Sequence, residues 1–217
     1  MKRLAIATVA AVLGAGAAVP GRATAQAPPG AGVSAGASVV WEESTVGTAV
    51  IRRTGVLLDG RARASVWRLG LDLGYRQGSL SAASVANQRT LVEGDAMLGV
   101  RLTRWIKLEG GPRVRAYVTP TATERWLMWE GRARLAAHVR GPSVQSYVVL
   151  ARAFSANLRP ALPFGQAQSG EAGISVRLGR SPLWSQVGYW ISQASVSGGQ
   201  RVETLQGLSV KFVLSPK

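Results

Sequence analysis

Cysteine is absent from this chain of 217 residues, and histidine occurs once, at His138. Without cysteine the chain has no disulfide framework and no thiol chemistry. After the N-terminal segment no apolar run reaches the roughly 18 residues of a membrane-spanning helix, which excludes such helices there. Acidic residues are also scarce: 11 stand against 26 lysines and arginines, so the formal net charge is +15.

The N-terminus has the pattern of a secretory signal peptide. A charged start, Met1-Lys2-Arg3, precedes an apolar stretch from Leu4 to Val19, and Ala23-Thr24-Ala25 has the small residues of a cleavage site. We therefore predict a signal peptide at 1–25 cleaved near Ala25, a flexible lead-in at 26–31 and one domain at 32–217. The protein is expected to be exported. Since the basic residues are spread singly through an exported chain, nucleic acid is not an expected partner.

Apolar and polar residues alternate along most of the chain, and residues 67–76 show the pattern best. The first row consists of Trp67, Leu69, Leu71, Leu73 and Tyr75. The second row consists of Arg68, Gly70, Asp72, Gly74 and Arg76. A period of two indicates a β-strand with one apolar and one polar face. Aromatic residues at both ends of the apolar row are typical of a strand that crosses a membrane, where only a closed barrel pairs every backbone group.

The same alternation predicts an all-β protein, a single antiparallel transmembrane β-barrel of ten strands, with eight as the alternative. The predicted strands are 32–42, 47–58, 62–76, 91–103, 106–117, 125–139, 143–154, 170–179, 183–194 and 202–213. Pro112 falls inside the fifth, where a β-bulge would accommodate it.

The connections between these strands alternate between short and long. Tight turns are predicted at Asp59-Gly60, 103–105, 140–142 and 180–182, and longer loops at 77–90 and 155–169. Short turns on the periplasmic side and longer loops outside are typical of bacterial barrels, and ten strands would place both termini on the periplasmic side.

The chain thus resembles the small outer-membrane β-barrel proteins of Gram-negative bacteria. Its last predicted strand contains Gly207-Leu208-Ser209-Val210-Lys211-Phe212, similar to the Gly-x-x-apolar-x-aromatic ending of that family. Two departures are Leu205, where the family has a polar residue, and the five residues from Val213 to Lys217 that follow the aromatic. The resemblance implies a location in the outer membrane, contact with its lipids, and recognition of the C-terminal strand by the barrel-insertion machinery. A secreted or periplasmic β-sandwich that binds a ligand is the alternative, since it gives the same alternation.

If the polar rows face inward, they form a charge network in the lumen. Its predicted members are Arg68, Asp72, Arg76, Glu93, Asp95, Arg101, Lys107, Glu109, Arg113, Arg115, Glu130, Arg132, Arg134, Arg152, Glu171, Arg177 and Lys211. Buried charges must be paired, so cross-strand ion pairs that close the lumen are the first expectation, with a structural or surface-interaction role. The excess of bases leaves a narrow, porin-like anion-preferring pore as the alternative.

Aromatic residues on the apolar rows predict two girdles at the membrane interfaces. Trp41, Tyr75 and Trp129 belong to one, and Trp67, Tyr147 and Phe212 to the other. Near the outer rim, arginines could pair with lipopolysaccharide phosphates; they are Arg89, Arg125, Arg159 and Arg201.

No cofactor motif, phosphate-binding glycine loop or metal-ligand cluster is recognisable in the sequence. The protein is therefore not expected to be an enzyme. The alternative is a lipid-modifying or proteolytic barrel, and its candidates would be His138 or the pair Glu93 and Asp95.

Overall fold

A computed structural model describes residues 30–196 and 200–214, except for the side chains at 86, 140 and 141. The predicted signal peptide lies outside these residues and stays a prediction. The strands are β1 (Ala31–Val46), β2 (Ala49–Val66), β3 (Leu69–Ser81), β4 (Arg89–Arg101), β5 (Ile106–Val118), β6 (Thr123–Arg140), β7 (Val144–Arg159), β8 (Phe164–Arg177), β9 (Leu183–Val196) and β10 (Arg201–Leu214). Among the described residues, no helix is long and apolar enough to cross a membrane.

The strands form one closed barrel in which each strand pairs with its sequence neighbours and β1 pairs with β10. All neighbours are antiparallel, and the β1–β10 ladder runs from Val33 opposite Leu214 to Val46 opposite Arg201. Closure gives each of the ten described strands a partner on both sides. The β7–β8 ladder ends at Arg152 opposite Gln168, so the loop-end parts of these two strands are not paired with each other. The prediction of a ten-stranded antiparallel barrel is confirmed, and the β-sandwich and eight-stranded alternatives are wrong.

The two ends of the barrel differ in what they carry. The terminal end has the first residue of β1, the last residue of β10 and the connections 67–68, 102–105, 141–143 and 178–182. The opposite end, here called the loop end, has the connections 47–48, 82–88, 119–122 and 160–163, the last residue of β9 and the first residue of β10. Gly47 and Gly179 have φ of +58° and +62°, a backbone conformation that glycine adopts at little cost.

Alternate side chains point outward and inward, as the sequence pattern predicts. On β3, Leu69, Leu71, Leu73 and Tyr75 are exposed, whereas Asp72 between them is completely buried. Exposed valines, leucines and aromatics continue around the outside of every strand; Leu98 of β4, for example, is 70% exposed. The barrel is therefore apolar outside and polar over much of its interior.

One predicted turn is wrong. Asp59 and Gly60 lie inside β2, and the chain reverses instead at Trp67 and Arg68, so that Val66 pairs with Leu69. Trp67 adopts φ of +54° there, although it is not glycine. The predicted third strand, 62–76, thus spans two strands of the barrel.

The predicted long loops are shorter than expected because the strands extend into them. β3 continues to Ser81 and β4 begins at Arg89, while β7 continues to Arg159 and β8 begins at Phe164. Long strands and short loops leave little chain for a binding head at the loop end.

The bulge predicted at Pro112 is also wrong. Asp95 opposite Arg113 and Leu98 opposite Gly110 keep one register across the β4–β5 ladder, and the positions between them are simply unpaired. A proline lacks the N–H that such a ladder position would use. The register shifts of the described strands lie between β6 and β7, at Trp129/Glu130 and at His138/Arg140, and between β8 and β9, at Phe164/Gln166.

Candidate functional site: the charged interior of the barrel

Acidic side chains occupy the inner face of the barrel, with Glu43 as the exception on the outer face. Those with less than a tenth of the residue exposed are Glu42, Asp72, Glu93, Glu109, Glu130 and Glu203. Each of these carboxylates forms at least one ion pair with an inward-facing arginine or lysine. Such pairing is what makes a buried charge tolerable.

A continuous chain of ion pairs crosses the middle of the lumen. Its members alternate in sign in the order Arg63, Asp72, Arg61, Asp95, Arg132, Glu130, Arg113, Glu93 and Arg115. Glu93 is the most heavily bridged, with oxygens 2.6 Å from Arg115 Nε, 3.0 Å from Arg113 Nη2 and 3.7 Å from Arg76 Nη1. The guanidinium fork of Arg113 also reaches Glu130 at 2.9 Å. Arginine suits this geometry because one planar group can bridge two carboxylates.

Strand register places these charges opposite one another. Arg63 of β2 lies directly across from Asp72 of β3, and Glu93 of β4 lies across from Arg115 of β5. Gly74 makes room beside them, since a Cβ there would come within 2.7 Å of both Arg61 Nη2 and Asp95 Oδ2. The glycines in the polar rows thus give space to neighbouring charged side chains.

A second ion-pair cluster lies nearer the loop end and was not predicted. Arg89 and Arg53 both bind Glu42, while Arg201 binds Glu203 and Glu124. Arg89 also stacks over another inward side chain, with its guanidinium carbon 3.5 Å from the ring centre of Tyr117. Arg89 and Arg201, predicted to lie near the outer rim, are the first residues of β4 and β10 at the loop end, and their side chains face the lumen.

Most predicted members of the lumen network face inward and form ion pairs. They are Asp72, Arg76, Glu93, Asp95, Lys107, Glu109, Arg113, Arg115, Glu130, Arg132, Glu171 and Lys211. Arg134 faces inward and forms no ion pair with the described residues, Arg101 lines the lumen at the terminal end, and Arg68 lies in the turn after β2. Arg177 donates its Nε hydrogen bond to the Ser181 carbonyl, 2.8 Å away in the neighbouring turn.

The assignment of Arg152 to the lumen is wrong, because β7 has the opposite phase. Arg152 is exposed on the outside, and Tyr147, predicted for the outer girdle, is buried inside with only 4% exposed. The Tyr147 hydroxyl donates a hydrogen bond to Glu171 at 2.9 Å. It lies over Gly173 and Gly188, where a Cβ would come within 2.8 Å and 2.6 Å of the hydroxyl oxygen. These paired glycines are the signal in the sequence that could have placed Tyr147 inside.

The other predicted girdle residues point outward. Trp41, Trp67, Tyr75, Trp129 and Phe212 are all more than a third exposed. The sequence analysis missed Phe154, which is 75% exposed at the register shift between β6 and β7. Its ring covers Gly131, where a Cβ would meet ring atoms at 2.8 Å and 2.9 Å.

An apolar cluster fills the lumen toward the loop end. It includes Val40, Leu57, Leu80, Leu91, Tyr117, Trp126, Met128, Leu158, Val196 and Leu205. Trp126 packs edge-on against Tyr117, with ring centres 5.8 Å apart. Leu57, Leu91 and Leu205 have no exposed surface. We call this cluster the apolar plug.

Below the apolar plug, the terminal half of the lumen contains a cavity of about 250 Å³. Ten basic and five acidic residues of the described chain line it, among them Arg61, Arg63, Lys107 and Arg134 with Glu109 and Glu171, and Gly30 and Arg68 lie at its terminal end. The cavity is therefore cationic on much of its wall and blocked toward the loop end by the plug.

Residues considered for catalysis or metal binding have ordinary structural contacts. His138 Nε2 lies 2.8 Å from Gln145 Nε2 near the terminal end, and Glu93 and Asp95 are both bound by arginines. Within residues 30–196 and 200–214, no group of three or more acidic or histidine side chains is arranged to hold a metal ion.

Comparison with known proteins defines the fold. No protein-family model and no curated protein sequence matches the chain. The translocator domain of the autotransporter NalP from Neisseria meningitidis is similar, with a TM-score of 0.52 and 12% identity over 85% of this chain and 88% of that one. Neisserial surface protein A has a TM-score of 0.37 and 11% identity, over 85% of this chain and 97% of that one. The Pseudomonas putida toluene transporter TodX has a TM-score of 0.39 and 7% identity, over 87% of this chain and 90% of that one. The protein has the fold of an outer-membrane β-barrel.

Proposed function

We propose that the protein is a sealed, non-conducting barrel of a bacterial outer membrane, with a structural role in that membrane. The observation that carries the proposal is the apolar plug, because its buried side chains come from strands all around the barrel and pack into one cluster toward the loop end. Leu57 of β2, Leu91 of β4 and Leu205 of β10 meet there with Trp126 of β6, all without exposed surface. An arrangement of this kind leaves no continuous aqueous path.

The outer surface supports a location within lipid. Soluble proteins rarely expose contiguous apolar patches larger than a few hundred Å², whereas here apolar side chains are exposed on every strand. Lipid requires such a surface, and the ladders of the closed barrel pair most of the backbone groups that lipid cannot. Export by the predicted signal peptide and insertion through the C-terminal strand belong to the same proposal.

The plug argues against the anion-preferring pore. Basic residues outnumber acidic ones in the lumen, as that alternative requires. They lie either on the terminal side of the apolar plug or at the level of the plug, where they form ion pairs with carboxylates. A surface-interaction role receives little support from the short connections at the loop end.

Outer-leaflet lipid is the partner that the outer face supports. Arg125 and Arg159 lie directly opposite each other on β6 and β7, both exposed. Like charges in this relation repel, and a phosphate group between them would remove the repulsion. We infer that this pair binds lipopolysaccharide phosphates, with the loop end facing outward.

Conductance of the purified protein in planar bilayers tests the proposal. The expected result is insertion, shown by heat-modifiable gel migration, without stable channel openings. A variant with Leu57, Leu91 and Leu205 replaced by alanine is the matched comparison; it removes apolar closure and no charge, so it should conduct more than the wild type. Stable, anion-selective openings of the wild type would contradict the proposal.

A further inference from the structure

The cavity in the terminal half of the lumen contains a cation that the ion-pair chain leaves out. Arg134 of β6 faces the cavity, and its nearest described partner is the ring of Tyr147, 5.1 Å from the guanidinium carbon. In the part of the chain that the structure describes, no carboxylate oxygen lies within 4.0 Å of Arg134, and its guanidinium forms no hydrogen bond. Each guanidinium has five N–H donors, so Arg134 has unused donors where it lines the cavity.

Two further cationic side chains, Lys107 and Arg63, line the cavity with Arg134. Lys107 of β5 lies directly opposite Arg134 in the strand ladder, and Arg63 of β2 repels both of them electrostatically. Lys107 has one carboxylate partner, Glu109, at 2.5 Å. The partner of Arg63 is Asp72, which it shares with Arg61. Glu109 and Glu171 attract Arg134 electrostatically but lie beyond ion-pair distance from it. Glu109 is paired with Lys107, and Glu171 with Lys211 and the Tyr147 hydroxyl, so no carboxylate of the described residues pairs directly with Arg134.

Two glycines leave space for the Lys107 side chain at the cavity wall. Gly70 and Gly99 lie under the Lys107 side chain, where a Cβ would approach the Nζ to 3.5 Å and the Cε to 2.7 Å, respectively. The contact at Gly70 would be an ordinary one, but a side chain at Gly99 would shift the lysine on the cavity wall. Like charges held opposite each other in a ladder are destabilising, which makes a bound counter-charge favourable here.

We propose that this cavity is a binding site for a small oxyanion, a carboxylate- or phosphate-bearing molecule, held by Arg134 with Lys107 and Arg63. The planar guanidinium of Arg134 can donate two parallel hydrogen bonds to either group. A cavity of about 250 Å³ would otherwise hold about eight waters at roughly 30 Å³ each, so a molecule of several non-hydrogen atoms fits. Access is from the terminal end, because the apolar plug closes the other side.

Isothermal titration of the full chain, purified from membranes in detergent, tests the site. Inorganic phosphate and citrate are titrated separately, in chloride buffer. Saturable binding of one or both is expected, and the tighter one identifies the class of oxyanion. Arg134→Gln should weaken binding by at least about tenfold, the loss of one charge-assisted bidentate contact. The affinity of Arg134→Lys should lie between those of the wild type and Arg134→Gln, since lysine keeps the charge but lacks the planar guanidinium.

Arg152→Gln is the matched control, because it removes an arginine from the outer face of the neighbouring strand and should leave binding unchanged. Heat-modifiable migration of each variant shows that it is folded; replacing an arginine without an ion pair is not expected to prevent folding. Absence of binding to the wild type would overturn the proposal. Equal affinity in Arg134→Gln, or equal weakening in Arg152→Gln, would do the same.

Discussion

Replacing Glu93 by glutamine tests the energetic role of the ion-pair chain. Glu93 is 6% exposed and is contacted by three arginines. The substitution keeps the size of the side chain and one oxygen acceptor but removes the negative charge. Breaking a buried ion pair by removing one partner costs about 3–5 kcal/mol, because the other charge stays buried.

Two alternative partners reduce this cost. Arg113 keeps Glu130 at 2.9 Å, and Arg115 keeps the Ser192 hydroxyl at 3.0 Å. We therefore expect Glu93→Gln to lower the free energy of unfolding by about 3 kcal/mol, the lower end of that range. Small domains are stable by about 5–15 kcal/mol, so the loss should be plainly measurable.

The assay is urea unfolding of the refolded protein in lipid vesicles, followed by tryptophan fluorescence and extrapolated linearly to zero denaturant. Glu43→Gln is the matched control, since Glu43 is half exposed and its partner Arg52 is 80% exposed. Exposed pairs of this kind contribute about 0.5 kcal/mol or less. Equal effects of the two substitutions, or an unchanged midpoint for Glu93→Gln, would refute the reasoning.

The reversed phase of β7 gives two further predictions for the same unfolding assay. Arg152→Leu should stabilise the barrel by about 2 kcal/mol, because an arginine on the lipid face is costly below the interface; destabilisation would place Arg152 in the lumen. Tyr147→Phe should destabilise by about 2 kcal/mol through loss of its hydrogen bond to the carboxylate of Glu171. The control Tyr189→Phe, whose hydroxyl lies 2.8 Å from the Gln206 amide oxygen on the outer face, should change stability less; a larger effect there would contradict the assignment.

Alternation was sufficient to predict the fold because most strands separate apolar and charged residues cleanly. On β5, for example, Leu108 and Val114 are exposed and Glu109 and Arg115 are buried, as their positions require. The same reasoning placed most members of the charge network on the correct face without any knowledge of their partners.

Alternation failed where both rows of a strand are apolar. Residues 147–151 of β7 read Tyr-Val-Val-Leu-Ala, so the rows cannot be distinguished, and Arg152 was assigned inward on the rule that charge faces the lumen. The extra residue Phe154 at the register shift then changes the phase along the same strand. The inward position of Tyr147 depends on the opposing glycines of β8 and β9, which lie more than 20 residues away in sequence.

Turn chemistry misled the placement of β2 and β3. Asp-Gly is a strong turn signal, but Asp59 and Gly60 continue the strand, and the reversal occurs at Trp67 and Arg68. Moving the reversal by eight residues changes which side chains face inward. Arg61 and Arg63, which bind Asp72, were missed for this reason.

Spin labels on single-cysteine variants test the central claim, a barrel in lipid with an apolar outside and a charged, closed inside. The chain has no native cysteine, so each label reports one position. Leu71→Cys and Val187→Cys report the outer face; Ser169→Cys and Ser209→Cys report the lumen. In lipid vesicles, the outer labels should be accessible to oxygen and not to a water-soluble nickel chelate. The lumen labels should show no such preference for oxygen. Outer labels open to the nickel chelate, or the same response on both faces, would contradict the account.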